Sequence, residues 1–279
     1  MSTLVSGGTG RPPRIGIVNL MPNAEQYENW LLPQLALSGP FELQWIRISS
    51  RRYNLDDPAR IAATYRTYKE ATADAPLDGL IVSGAAVEHL PFEEVRFMDE
   101  LNDMVQDVHA QGSPLLGLCW GAMGVGNLVY GLPKDIYSAK ISGMYETELL
   151  AQDGPIASSL DDRFWSTHSR FAGFDDKALD ASTTVRALAR AEGAGTVIAE
   201  SYDHSVLMHT GHPEYYGSRL AEEYRRDVDQ QVAGVRAPVG VDLDQPLRLW
   251  RSHSLAFFAS WGRLVGDQEA AGERGGGPV

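Results

Sequence analysis

The chain has one cysteine in 279 residues, no cysteine and histidine cluster at zinc spacing, and no apolar run longer than a strand. A single thiol excludes an intramolecular disulfide framework, and scattered ligands give no basis for a structural metal. His204, His209 and His212 are close in sequence, but strand alternation would divide them between two faces. Neither a membrane span nor a basic-then-hydrophobic N-terminal segment is present, so a cytoplasmic protein without membrane association is expected. Positive charge is also scarce: 24 Lys and Arg stand against 37 Asp and Glu, a net charge of -13. Nucleic acid is therefore excluded as a partner class, because phosphate binding draws on clustered cations. The excess acid reads as a solvated surface.

What is present is an alternation of apolar runs and helical patterns. Arg14 to Leu20, Phe41 to Ile48, Leu77 to Gly84 and Pro114 to Leu118 read as strands. Glu28 to Leu37 has helical spacing interrupted by Pro33, Phe92 to Gln111 reads as one long amphipathic helix, and Leu255 to Val265 as a last one. Between them, Ala139 to Tyr145, Thr184 to Ala189, Thr196 to Ser201 and Ser205 to Thr210 read as short strands that extend the sheet or form a layer beside it. Strands alternating with helices imply a parallel sheet covered on both faces, with its active site at the carboxyl ends of the strands. Residues 14–266 form a single α/β domain in this reading, and the Gly- and Pro-rich ends, 1–13 and 267–279, are expected to be flexible tails.

Cys119 falls at that edge, in Leu116-Gly117-Leu118-Cys119-Trp120-Gly121-Ala122. The glycines keep Cβ atoms out of a sharp strand-to-helix turn that would lift the sulfur into a cleft, and free N–H groups at the helix start favour negative charge there. The same pattern also suits a buried structural cysteine. A nucleophile needs a base and the base needs an orienting group. Val206 to His209 is apolar and breaks at Gly211 into His212-Pro213-Glu214, which offers both. A surface turn is the competing reading of that segment alone; beside a strand-Cys-helix elbow, a Cys119-His212-Glu214 triad accounts for both segments.

Gly-x-Cys-x-Gly followed by His-Pro-Glu resembles the class I glutamine amidotransferase fold, a flavodoxin-like parallel sheet flanked by helices. The surrounding residues narrow the likeness. Asn19-Leu20-Met21-Pro22, Asp78 to Ala85, Cys119-Trp120, His168-Ser169-Arg170, Thr210 to Tyr215, Glu223 to Asp227 and Trp250-Arg251-Ser252-His253 are similar, in nearly the same order and spacing, to the homoserine O-acyltransferase (homoserine transsuccinylase) family of methionine biosynthesis. The resemblance runs from about Ile15 to about Val265. It implies ping-pong acyl transfer from an acyl-CoA co-substrate through a Cys119 thioester, with no bound cofactor or metal. His212 would be the general base, Glu214 its orienting carboxylate, and backbone N–H groups at Trp120 and in the Ala85-Ala86 loop the oxyanion donors.

The family's acceptor contacts match Lys140, Ser169, Glu223 and Arg226, the last two sharing a helix face, although alone they would read as a solvated ion pair. A glutamate matching Glu88 goes with acetyl-CoA in the family and a glycine with succinyl-CoA; a carboxylate there would fill space and repel a succinyl terminus. A homodimer is also implied. Departures accompany the match. Ala24 replaces a lysine, Tyr27-Glu28-Asn29-Trp30 replaces Thr-Glu-x-Gln, Thr147 replaces a histidine, Arg51 to Tyr68 lacks a Glu-His-Leu pattern, and Ala237-Pro238-Val239-Gly240 replaces Asn-Tyr-Phe-Pro. The leading expectation is acetyl transfer to the L-homoserine hydroxyl; L-serine or another hydroxy amino acid as acceptor, a glutaminase-like amidohydrolase, and a catalytically silent relative are the alternatives.

Overall fold

The computed structural model describes residues 11–51, 53 and 55–275, and helix α8 (Arg251–Gly275) carries order past residue 266. The boundary expected at 267 thus falls inside a helix, while residues 1–10 and 276–279 of the expected tails lie outside the described residues. One nine-stranded sheet organises the chain, in the order β2-β1-β3-β4-β9-β8-β7-β5-β6. Strands β1 (Arg14–Val18), β2 (Glu42–Ile46), β3 (Gly79–Val82), β4 (Leu115–Leu118) and β9 (Val206–His209) are parallel. The rest of the sheet, for which the sequence set no direction, is antiparallel: β8 (Gly195–Ser201), β7 (Val185–Ala191), β5 (Lys134–Leu149) and β6 (Arg163–Phe174) pair antiparallel. The segments beyond Gly131 extend the sheet and form no separate layer.

Alternation along the central strands splits the core in two. Val18, Leu80, Val82 and Leu115 face helices α4 (Met98–Ala110) and α5 (Trp120–Tyr130). Ile15, Ile17, Ile81, Leu116 and Leu118 face α1 (Ala24–Leu35) and α8. Pro33 stays within α1 but in its last turn, where a missing N–H coincides with the approaching helix end. The single helix expected from Phe92 to Gln111 is broken. A 3₁₀ turn, Phe92–Glu94, is followed by extended Val95 before α4 begins, and this break turns Phe92 and Phe97 onto the buried ring of Trp120.

β5 carries the irregularity that shapes the site. Its pairing with β6 shifts between Ile136, opposite Ala172, and Ile141, opposite Arg170, so residues Tyr137 to Lys140 have one counterpart, Phe171, instead of four. The Lys140 N–H turns to the carbonyl of Gly234 at 2.9 Å, and the connection from α7 (Arg219–Asp229) runs along β5, joining it through Val239 at Ser142 and Met144. Gly143 (φ +133°) permits that approach: a Cβ there would lie 2.3 Å from Val239 N. Among the described residues no helix is long and apolar enough to cross a membrane.

Candidate active site

Cys119 links β4 to α5 with φ 52° and ψ -117°, a conformation that a residue with a side chain adopts only when its surroundings impose it. Those surroundings are glycines. A Cβ on Gly117 would stand 2.5 Å from Ala122 Cα, and one on Gly121 2.2 Å from the Val82 carbonyl oxygen. The helix therefore starts against the end of β3, and the Cys119 N–H is held by the His209 carbonyl at 2.8 Å.

β9 brings the second group. The chain turns at Gly211, where a Cβ would meet Thr167 O at 2.4 Å, and His212 N donates to that same carbonyl at 2.8 Å. His212 Nδ1 lies 2.8 Å from Glu214 Oε1, which leaves Nε2 for the sulfur; the Tyr215 ring stacks on the imidazole at 4.0 Å. Burial alone would depress the His212 pKa. Electrostatic attraction to Cys119 and Glu214, with hydrogen bonds to both, outweighs it and holds the imidazole well above its ordinary value. At Gly84 a Cβ would come within 3.3 Å of Cys119 Cβ and 3.4 Å of His212 Cε1, so the end of β3 closes over the pair. The three residues form a connected Cys-His-Glu arrangement, with Glu214 1% exposed.

Cys119 and His212 open into a cavity of about 470 Å³, whose walls include Ala85, Ala86, Glu88, Lys140, Ser169, Glu223 and Arg226. Every residue singled out from sequence therefore reaches the cavity except Glu214, behind His212, and Trp120, whose ring is buried but whose N–H opens α5 without an intrahelical acceptor. Among the described residues no hydrogen bond uses the Ala85 or Ala86 N–H. Lys134 Nζ donates to the carbonyls of Glu88 (2.8 Å) and Leu90 (2.6 Å), which pins the loop carrying Glu88.

The opposite wall is a charge cluster. Lys140 Nζ meets Asp227 Oδ2 at 2.6 Å and Arg226 Nη2 meets Asp227 Oδ1 at 2.7 Å; Arg219 Nη2 and the Tyr215 hydroxyl share Glu223 Oε1 at 2.6 and 3.2 Å. Burial would raise the Glu223 pKa, but Arg219, Lys140 and His212 together bring it down to about 2. Glu223 Oε2 and Ser169 Oγ are buried without a partner among the described residues. Such a wall, with three cations, two carboxylates and two open acceptors, can hold an ammonium and a carboxylate side by side.

Arg219, Asp227 and Trp30 belong to this wall but were not singled out from sequence. Arg219 sits on the helix face of Glu223 and Arg226, four residues earlier, and that spacing was readable. Its guanidinium lies over Trp30 at 4.7 Å, and Trp30 is one of the departures noted above. Asp227 meets Lys140 from 87 residues away, which no local pattern announces. Two other departures do not touch the cavity: Ala24 is fully buried against Ile61 and Tyr65, and Thr147 Oγ1 is buried at 2.7 Å from Ser166 Oγ.

Comparison with known proteins identifies a family and a fold. The profile of the homoserine O-succinyltransferase family matches residues 5–271. A homoserine O-succinyltransferase of Proteus mirabilis is 33% identical over 257 residues, covering 90% of this chain and 82% of the relative. A homoserine O-acetyltransferase of Desulfovibrio desulfuricans is 34% identical over 257 residues, covering 90% and 81%. Among solved structures, a glutamine amidotransferase of Thermotoga maritima superposes with a TM-score of 0.62 at 12% identity, covering 92% of this chain and all of that one. One from Methylobacillus flagellatus gives 0.55 at 15%, covering 94% of each. The amidotransferase likeness is one of fold, and by sequence the chain belongs to the homoserine O-succinyltransferase family.

Proposed function

We propose that this protein is an acyl-CoA-dependent homoserine O-acyltransferase that works through a thioester on Cys119. The observation that carries the reading is the single cavity in which the Cys119-His212 pair faces an amino-acid-like charge wall of Lys140, Ser169, Glu223 and Arg226. In the first half-reaction Cys119 Sγ attacks the thioester carbonyl of the donor. The carbonyl oxygen becomes an oxyanion facing the N–H groups of Trp120, Ala85 and Ala86, the C–S bond to coenzyme A breaks, and His212 returns the proton to the departing thiol. In the second, His212 takes the acceptor hydroxyl proton, the oxygen attacks the acyl-cysteine, and the Cys119 C–S bond breaks to release the ester. Glu214 holds the imidazole so that one nitrogen serves both steps. Glu223 Oε2 and Ser169 Oγ would accept the acceptor ammonium, and Arg226 its carboxylate.

Two finer choices belong to the same proposal. Glu88 on the cavity wall supports acetyl-CoA, since its carboxylate would repel the terminal carboxylate of succinyl-CoA. The four acceptor-matching residues support L-homoserine. Release of coenzyme A thiol from acetyl- and succinyl-CoA, measured against homoserine and serine, tests all of this. Turnover is expected with acetyl-CoA and homoserine, and Glu88→Gly should raise the succinyl-to-acetyl ratio of kcat/KM by about tenfold. An unchanged ratio removes the donor assignment. Absence of thiol release with every pair, or ammonia release from glutamine, overturns the transferase.

A further inference from the structure

The Trp250-Arg251-Ser252-His253 stretch at the start of α8 contributes nothing to the cavity wall, yet it is tied to both ends of the turn that carries His212. At one end, His209 Nδ1 accepts the Gly211 N–H at 3.0 Å. That lone pair puts the proton of the neutral ring on Nε2, which faces His253 Nε2 at 3.1 Å; His253 must then accept and carry its own proton on Nδ1. The His253 ring lies flat on Phe164, with centroids 4.0 Å apart and planes 7° from parallel. At the other end, Trp250 Nε1 donates to the Tyr215 carbonyl at 3.1 Å, and the Tyr215 ring is the one stacked on His212. Both histidines are deeply buried, and burial first of all pushes His209 well below its ordinary pKa and His253 down to about 3. Neither ring is charged at neutral pH, so the direction of the chain from His209 to His253 is fixed.

We propose that α8 is a positioning clamp for the general base: His253 accepts the Nε2 proton of His209 and so reinforces the tautomer that the Gly211 N–H selects, His209 holds Gly211, and Trp250 holds Tyr215, so that His212 meets the sulfur in one orientation. Without an acceptor at position 253, the Nε2–H of His209 is left buried and unpartnered, and the alternative, a proton on Nδ1, would confront the Gly211 N–H donor to donor, so either way the ring loses its hold on Gly211. The turn would then shift, with Gly211 already pressed against Thr167 O. The effect on turnover rests on the acyl-transfer reading above; the geometry of the clamp does not.

Because the chain has one cysteine, alkylation by iodoacetamide reads the reactivity of Cys119 without any substrate. His253→Phe keeps a ring on Phe164 but supplies no acceptor, whereas His253→Gln supplies an amide oxygen. Alkylation at about pH 7 is expected to slow about tenfold in His253→Phe, and kcat for coenzyme A release to fall about 10- to 100-fold with the acceptor KM within about threefold. His253→Gln should recover both rates to within about fivefold of the parent. Parental rates in His253→Phe, or equal losses in the two variants, overturn the clamp. If the parent releases no coenzyme A but the alkylation rates still separate, the transferase reading fails and the clamp stands. Should His253→Phe not fold, Trp250→Phe removes the other tie: slowed alkylation supports the proposal and a parental rate overturns it.

Discussion

In the parallel half of the sheet the groups proposed to react, Cys119 and His212, follow the carboxyl ends of β4 and β9. In the antiparallel half the groups proposed to bind, Lys140 and Ser169, come from within β5 and β6. The means of placement differ too. Cys119 is held in a strained backbone conformation by close glycine contacts, while Lys140 is turned inward by a shift in strand register and held by an ion pair with Asp227. One half fixes backbone, and the other fixes charge. The difference suggests a division between a common chemical step and a selective binding step, and each half can be perturbed separately.

The largest expected effect is in the parallel half: Cys119→Ala should lower both half-reactions by at least about 10³-fold, measured as acyl-protein mass and coenzyme A release. Residual acylation of that variant at parental rate would place the nucleophile elsewhere. Next comes a pair of glycines. Gly121→Ala, which forces a methyl against Val82 O, should cost about 1–3 kcal/mol or more of stability and abolish Cys119 alkylation. Gly143→Ala, in a positive-φ position against Val239, should loosen the 232–249 connection and raise acceptor KM while alkylation persists. Equal loss of alkylation in both would show that the halves are not separable.

Lys140→Met is expected to raise acceptor KM about 10- to 100-fold and leave acylation by the donor within a few-fold, read by single-turnover acylation and steady-state kinetics. Slower acylation to the same extent would erase the distinction. The smallest effect is on stability. In the fold Glu223 titrates at about 2 against an ordinary 4.5, because its cationic neighbours outweigh burial. Its contribution is fully present above about pH 4.5 and is lost as pH falls towards 2, the unfolded chain taking up the proton first. Glu223→Gln should remove that part of the acid slope, seen in urea midpoints between about pH 5 and pH 3.

The parallel half was the more legible in sequence for a physical reason. β1, β3 and β4 are buried on both faces and read as nearly continuous apolar runs, and Gly117 and Gly121 flank Cys119 at the end of β4, so its place at the sheet edge was legible. β6 was not recognised as a strand, because its middle, Ser166-Thr167-His168-Ser169-Arg170, is polar and yet buried. Bonds from outside the strand hold part of it: Ser166 Oγ with Thr147 Oγ1, and Arg170 with the carbonyl of Ala194. Composition cannot distinguish such a strand from a surface loop. The same holds for Lys140, whose resemblance-based assignment carried no hint of Asp227 or of the register shift that aims it. The break at Val95 was hidden because helical apolar spacing continues on both sides of it.

The place of α8 in the chain has a consequence for the order of synthesis. It follows every strand, yet Phe257, Phe258 and Trp261 complete the core face of α1, and Ser254 Oγ donates to Gln34 Oε1 across 220 residues. A nascent chain can pair its early strands and form the Cys119 turn while His212, Glu214 and then Trp250 and His253 are still to be made. Contacts of such long separation close late. The thiol is therefore made long before the histidine proposed as its base, and under the clamp proposed here catalytic competence would arrive only with the last helix.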